Sequence, residues 1–285
     1  MCIRDSTEGM QSGSTAMTYA GTGGALYWAT VVIRVDGVPG TYVVDTGSRT
    51  LVTRRKVGSK AGFFPQSILY GSGRVWGYNS FASVELSPDV ALPDTQVLQQ
   101  AKADLHGGVD GILGLLPCAT TSKRGLRSVE VDFALQQVHW NRPPVHPGSV
   151  CVNPAVHQHG ALRDRLWLRG AMRIVALDGR AFEVPDVHMM LDTGATKSAT
   201  FFRKGFQELQ ECARHPRLAR LEVTTRGTTL RMPLALGSRW PVCLPHRPDQ
   251  IAFVIVGLQA LDALKSLRFE LSADGSTITR LCIAQ

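Results

Sequence analysis

Two short stretches of this 285-residue chain carry the same uncommon pattern. In "TYVVDTGSRT" (residues 41–50) apolar, β-favouring residues run into Asp45, followed by Thr46, Gly47 and Ser48. In "VHMMLDTGATKS" (residues 187–198) apolar residues run into Asp192, followed by Thr193 and Gly194. A carboxylate at the end of a buried strand is costly unless it is hydrogen-bonded or put to use. Each triplet is followed by an apolar-apolar-glycine element: Ile112-Leu113-Gly114, 69 residues after Asp45, and Ile255-Val256-Gly257, 65 residues after Asp192. Two halves of matched length with the same landmarks in the same order imply two similar lobes.

The rest of the chain fits an all-β reading. From Ala25 onward the segments are short and rich in Val, Ile, Tyr and Trp, with Gly, Pro and Asp at close intervals. The clearest helical spacing lies in "TFFRKGFQELQECARH", residues 200–215. Residues 140–160, rich in proline and histidine, read as a connector. The expected division is therefore a first lobe over 25–155 and a second over 156–285. Residues 1–24 contain no apolar signal-peptide core and are Gly/Ser/Thr-rich, so they are expected to be disordered, with "MCIRDS" resembling translated adapter sequence.

Composition narrows the function classes. With 44% hydrophobic and 19% charged residues the chain is globular. No apolar run reaches the ~18–20 residues of a membrane helix, so no membrane partner is expected. The net charge of +8 is spread in short clusters such as Arg54-Arg55-Lys56, without interleaved aromatics, which argues against a nucleic-acid partner. The six cysteines include no C-x-x-C pair, so no structural zinc is expected, and His157 and His159 read as polar loop residues rather than metal ligands. Wide cysteine spacing is compatible with disulfides and an oxidising compartment.

If the two aspartate turns face each other, the carboxylates share one site and hold one proton between them over a range of pH. One carboxylate can then take a proton from water while the other gives one to a carbonyl oxygen. That pair can hydrolyse an amide with no cofactor and no metal.

At this point the sequence resembles the pepsin-like aspartic proteases, as a compact variant. The resemblance rests on "VVDTGS", the hairpin "LYGSGRVWG" (69–77), "DGILGL" (110–115), "MLDTGAT" (190–196) and "VIVG" (254–257), in that order over residues 25–285. It implies an all-β, bilobal acid-protease fold of two pseudo-symmetric, barrel-like lobes with few short helices. Asp45 and Asp192 would be the catalytic pair, with Thr46 and Thr193 cross-bracing the turns. Gly47 and Gly194 would bond the dyad or the substrate backbone, and Ser48 would donate to Asp45. Tyr70, Gly71, Ser72 and Gly73 would form a flap over the peptide, with Val43 and Ile112 lining one pocket and Met190 and Ile255 the other. The resemblance also implies a Cys212–Cys243 disulfide, with Cys118 and Cys151 a second candidate pair and Cys282 left as a buried thiol. It further implies a monomer acting on peptides or unfolded proteins, with apolar preference around the cut. Block by pepstatin-like inhibitors and a secreted or endolysosomal/vacuolar setting follow from the same likeness.

The chain departs from the family pattern at three places. Val52 stands where many members have a tryptophan that bonds the flap tyrosine, and Trp76 is the candidate substitute. Ala195 stands where a hydroxyl is common, and Leu258 where an aspartate usually follows the glycine. A catalytically weak or inactive peptide-binding protein on the same fold is the rival reading, though such relatives generally lose an aspartate. A retroviral-type protease carries one triplet per chain and dimerises, which two triplets in one chain speak against.

Overall fold

The structure, a computed structural model, describes residues 11–22, 26–60, 65–70, 73–100, 108–116, 125–156, 166–201, 217–225, 227–239 and 253–285. The first half supplies β1 (Gly13–Thr22), β2 (Leu26–Val35), β3 (Val38–Asp45), β4 (Leu51–Thr53), β5 (Ser59–Lys60), β6 (Gln66–Tyr70), β7 (Gly73–Ser87), β8 (Val90–Gln100) and β9 (Gly111–Gly114). Next come β10 (Ser128–Asp132), β11 (Gln137–Trp140), β12 (Val150–Val152) and β13 (Ala155–Val156). The second half supplies β14 (Leu166–Ala176), β15 (Ala181–Asp192), β16 (Ala199–Phe201), β17 (Arg217–Thr225), β18 (Thr228–Arg239) and β19 (Phe253–Gly257). A one-turn helix α1 (Leu258–Leu261) follows directly, then β20 (Ser266–Leu271) and β21 (Ile278–Ala284).

Local chemistry explains several of these strands. Between β2 and β3 the chain reverses at Asp36-Gly37, both with positive φ (50° and 73°), which is what a two-residue hairpin matched to strand twist requires. The Asp36 carboxylate then accepts the N–H groups of Gly58 (2.6 Å) and Ser83 (2.9 Å), tying the hairpin to the strands beside it. Along β3, Tyr42 and Val44 face the main core, whereas Val43 belongs to a separate cluster on the other side.

The strands form two sheets. One has fourteen strands in the order β12-β21-β20-β10-β11-β1-β2-β3-β9-β4-β8-β7-β5, with β6 attached to β7. The other has seven, in the order β16-β19-β15-β14-β17-β18 with β13 attached to β14. The predicted repeat is visible in their centres. β3 pairs in parallel with β9 while β4 runs antiparallel to β9, and β15, β19 and β16 repeat that arrangement in the second half.

Three expectations change on contact with the structure. Residues 13–22, expected to be disordered, form β1, whose first part (Gly13–Ala16) pairs with β11 and whose second part (Met17–Thr22) pairs with β2. Backbone pairing along its whole length, with one strand and then the other, orders a segment poor in apolar residues, helped by buried Met17 and by Trp140 Nε1 donating to Thr15 Oγ1 at 3.0 Å. Second, β20 pairs with β10 and β21 with β20 and β12, so residues 266–284 lie in a sheet shared with the first half. Third, Cys151 and Cys282 form a disulfide, so Cys282 is not a free thiol and Cys151 does not pair with Cys118. The register of β12 against β21 sets these two residues directly opposite. Cys118, Cys212 and Cys243 lie outside the described residues, as do Cys2, His157, His159 and most of the predicted helix, whose first two residues belong to β16.

The turn after β20 carries a measurable electrostatic consequence. The Asp274 carboxylate accepts hydrogen bonds from Ser272 Oγ (2.6 Å), Ser276 Oγ (2.8 Å) and Ser276 N–H (3.0 Å). These donors, Ser272 first, favour the charged form and hold its pKa at about 2, below the ordinary 3.8. A depressed carboxylate stabilises the fold above its unfolded pKa and loses that contribution as pH falls through the folded value. NMR titration of the side-chain carbons should place the Asp274 midpoint near about 2, and Ser272→Ala should move it up towards 3.8. A midpoint already at the ordinary value in the unmodified protein would contradict this turn geometry.

Candidate active site

Each aspartate of the repeated triplet ends a strand whose neighbour is the glycine of the apolar-apolar-glycine element. Asp45 pairs with Gly114 and Asp192 with Gly257, both in parallel register. The chain leaves each pair bonded to the residue three beyond the aspartate: Leu116 N–H donates to Ser48 O at 2.9 Å, and Leu258 N–H donates to Ala195 O at 2.7 Å. The glycines are required by close approach. A Cβ on Gly114 would meet the Thr50 backbone at 2.7 Å, and one on Gly257 would meet Lys197 O at 2.0 Å.

The two turns are bolted together by their threonines. Thr46 N–H donates to Thr193 Oγ1 (3.1 Å), and Thr193 N–H donates to Thr46 Oγ1 (3.0 Å). Each hydroxyl passes its own proton across to the opposite strand, Thr46 Oγ1 to Leu191 O (2.8 Å) and Thr193 Oγ1 to Val44 O (2.6 Å). Both threonines are fully buried, so this reciprocal set sits in a low-dielectric setting where loss of one partner leaves another unsatisfied. A valine at either position would keep the volume and remove the donor and acceptor.

That brace puts the two carboxylates on one site. A Cβ built on Gly47 would lie 2.5–2.6 Å from the carboxyl atoms of Asp192, and one on Gly194 would lie 2.6–2.9 Å from those of Asp45. Each carboxylate therefore sits against the glycine of the opposite triplet. Within its own turn, Asp45 Oδ1 accepts Gly47 N–H at 2.8 Å, and Asp192 Oδ1 accepts Gly194 N–H at 2.9 Å. Ala195 N–H adds a further donor to Asp192 at 3.2 Å, so the backbone supplies a contact where the side chain carries no hydroxyl. Ser48 is buried, and its carbonyl accepts Leu116 N–H at 2.9 Å.

The residues read as pocket walls are brought to the same strands. Val43 and Ile112 are register partners, and so are Met190 and Ile255. Val43 and Ile112 form a small apolar cluster with Val52, Leu98 and Val109, separate from the main core. Ile68 and Val75, from the two strands of the β6–β7 hairpin, pack onto it. In that hairpin Tyr70 pairs with Gly73, while Gly71 and Ser72 lie outside the described residues. Trp76, the candidate substitute for the missing tryptophan, is 49% exposed on β7. Trp28 of β2 packs on the cluster instead, a residue that sequence reasoning missed because its strand alternation gave no hint of which neighbours it would meet.

Comparison with solved structures finds an aspartic proteinase from Irpex lacteus that is similar over 96% of this chain and 97% of that one, with a TM-score of 0.66 and 15% identity. No protein-family model matches the sequence, and no curated protein matches it. The structural likeness and the two-sheet β architecture together establish an all-β, bilobal fold of the pepsin-like acid-protease type.

Proposed function

We propose that the chain is an aspartic endopeptidase of the pepsin-like family, in a compact form. The observation that carries the reading is reciprocal: the carboxylate of each triplet lies against the glycine of the other, as close as 2.5–2.9 Å to where a Cβ would be. Two carboxylates so placed hold one proton and a water between them. The ionised member takes a proton from the water as it attacks the scissile carbonyl, and the protonated member gives one to the carbonyl oxygen. The tetrahedral intermediate then collapses as the amine leaves with a proton, so neither a covalent enzyme intermediate nor a cofactor enters the scheme.

The β6–β7 hairpin serves as the flap, with Tyr70 at its tip end. Val43 and Ile112 serve the pocket on one side of the cut, and Met190 and Ile255 the pocket on the other. Both triplets lie in one chain, so a monomer suffices. The substrate class is peptides and unfolded protein, and a secreted or vacuolar setting agrees with the Cys151–Cys282 disulfide.

Incubation with a denatured protein at about pH 3–5, where a carboxylate pair shares one proton, should release peptides detectable by mass spectrometry. A pepstatin-type inhibitor should stop the release, whereas metal chelators and serine-protease reagents should leave it intact. A chain that releases nothing across this range, or keeps cleaving in saturating inhibitor, overturns the reading.

A further inference from the structure

On the face of β10 opposite Val129 and Val131 lie Glu130 and Asp132, positions that would ordinarily meet water. Both are buried, at 1% and 0% exposure. The strand register extends this face as a line across the shared sheet: His139, Glu130, Arg268, Cys282 and Cys151 are successive cross-strand partners on β11, β10, β20, β21 and β12. A polar layer that ends in a disulfide is thus built into one side of the sheet.

What covers the layer is the segment between β11 and β12, residues 141–149. It is fixed at its start by Asn141, whose Oδ1 accepts Arg127 N–H (2.6 Å) and whose Nδ2 donates to Gln11 O (2.9 Å) and Gly125 O (2.8 Å). Among the described residues its middle is held by β10 and by the layer, with Ser128 Oγ donating to Arg142 O at 3.4 Å. Arg268 Nη1 donates to Arg142 O (2.8 Å), Val145 N–H donates to Glu130 Oε2 (3.3 Å), and His146 Nε2 lies 2.9 Å from Asp132 Oδ2. Its end runs into β12, which has three register pairs with β21 and forms the edge of the sheet. Such a short edge strand holds weakly by backbone pairing alone. A covalent bond from Cys151 to Cys282 also joins this end to β21.

We infer that Cys151–Cys282 is a redox-addressable clasp, which keeps the 141–152 segment closed as a strap over the buried layer at the root of the second half. The two cysteines bracket the whole of that half, 131 residues apart in sequence. Opening needs a dithiol reductant. Two electrons and two protons pass to the S–S bond, which becomes the Cys151 and Cys282 thiols, while the dithiol closes to its own disulfide. With the bond open, β12 frays from β21, the strap lifts, and water reaches Glu130 and Asp132, while β10, β20 and β21 stay paired. The strap is closed in an oxidising compartment and open where a dithiol prevails. This inference is independent of the proposed peptidase activity and is read without substrate.

Amide hydrogen exchange on the full chain, with and without a dithiol, tests the clasp. Mass mapping establishes whether Cys151 and Cys282 are reduced. Cys151 and Cys282, 4.0 Å apart at Cα, form a non-hydrogen-bonded pair, so the ladder amides of β12 belong to the flanking pairs Val150–Ile283 and Val152–Leu281. In protein so reduced, the amides of Val145 and Val152 should exchange about tenfold faster or more, while those of Val131 and Phe269 keep their protection. Cys151→Ser without reductant should give the same pattern, and should this variant fail to fold, the reduced unmodified chain carries the test. Three results would overturn the inference: unchanged strap exchange in protein shown to be reduced, loss of protection through β10 and β20 together with the strap, or a bond that resists the dithiol while the protein is native.

Discussion

Asp192→Asn is expected to lower kcat/KM for peptide hydrolysis by at least about 10³-fold, the scale of a lost acid–base group, with the melting temperature held or slightly raised. Asp45→Asn should behave the same way. An asparagine side chain keeps the Oδ1 acceptor, so the first variant retains the N–H groups of Gly194 and Ala195 as donors, and the second retains that of Gly47. The threonine brace uses neither carboxylate and stays intact. Removing one of two crowded carboxyls also relieves their mutual repulsion, which is why stability should not fall. Kinetics on a quenched peptide, together with a thermal melt, separates the two effects. Activity surviving in a folded variant would end the dyad assignment.

Gly194→Ala is the second large effect, and it acts through a methyl group. The new Cβ would stand 2.6 Å from Asp45 Cγ, and in Gly47→Ala it would stand 2.5 Å from Asp192 Cγ. Ordinary carbon contacts begin near about 3.5 Å, so the carboxyl must give way by about 1 Å. A shift of that size in a reacting group costs about 10²-fold in rate. Crowding at this half-buried junction adds about 1–3 kcal/mol of destabilisation, since the braced turns leave little room to relax. The signature that distinguishes this from the asparagine variants is a loss of both activity and thermal stability. Full activity in Gly47→Ala would mean that the carboxylates are not packed against the opposite turns.

Much of this arrangement is legible from residues alone, because the repeat is written in short range. Each triplet carries its own strand, its own turn glycine and its own partner element, so the repeat shows in the sequence, while the pairing of Asp45 with Gly114 and of Asp192 with Gly257 comes from the fold. What escapes is whatever depends on register between distant strands. "SVEVD" reads as a strand with Val129 and Val131 inward and Glu130 and Asp132 in water, and nothing local announces that residues 141–149 will cover the acidic face. The Cys151–Cys282 bond is hidden for the same reason, since it exists only once β12 lies against β21. Residues 13–22 mislead in the opposite direction. Their small polar side chains suggest no core, yet two strands in turn, β11 and then β2, offer backbone partners along the whole segment.

The shared sheet also sets an order of events during synthesis. β10 pairs with β20, and the register partners Asp132 and Ser266 are 134 residues apart. At ~5–20 residues per second a ribosome needs about 7–27 s to cover that distance. Throughout that interval β10 has β11 on one side and an open row of N–H and C=O groups on the other. An open edge invites pairing with another nascent chain, and inward-pointing charge is one way proteins discourage it. Glu130 and Asp132, buried beneath the strap in the finished molecule, thus serve earlier as guards, keeping the edge of an unfinished sheet in water until the last two strands arrive to close it.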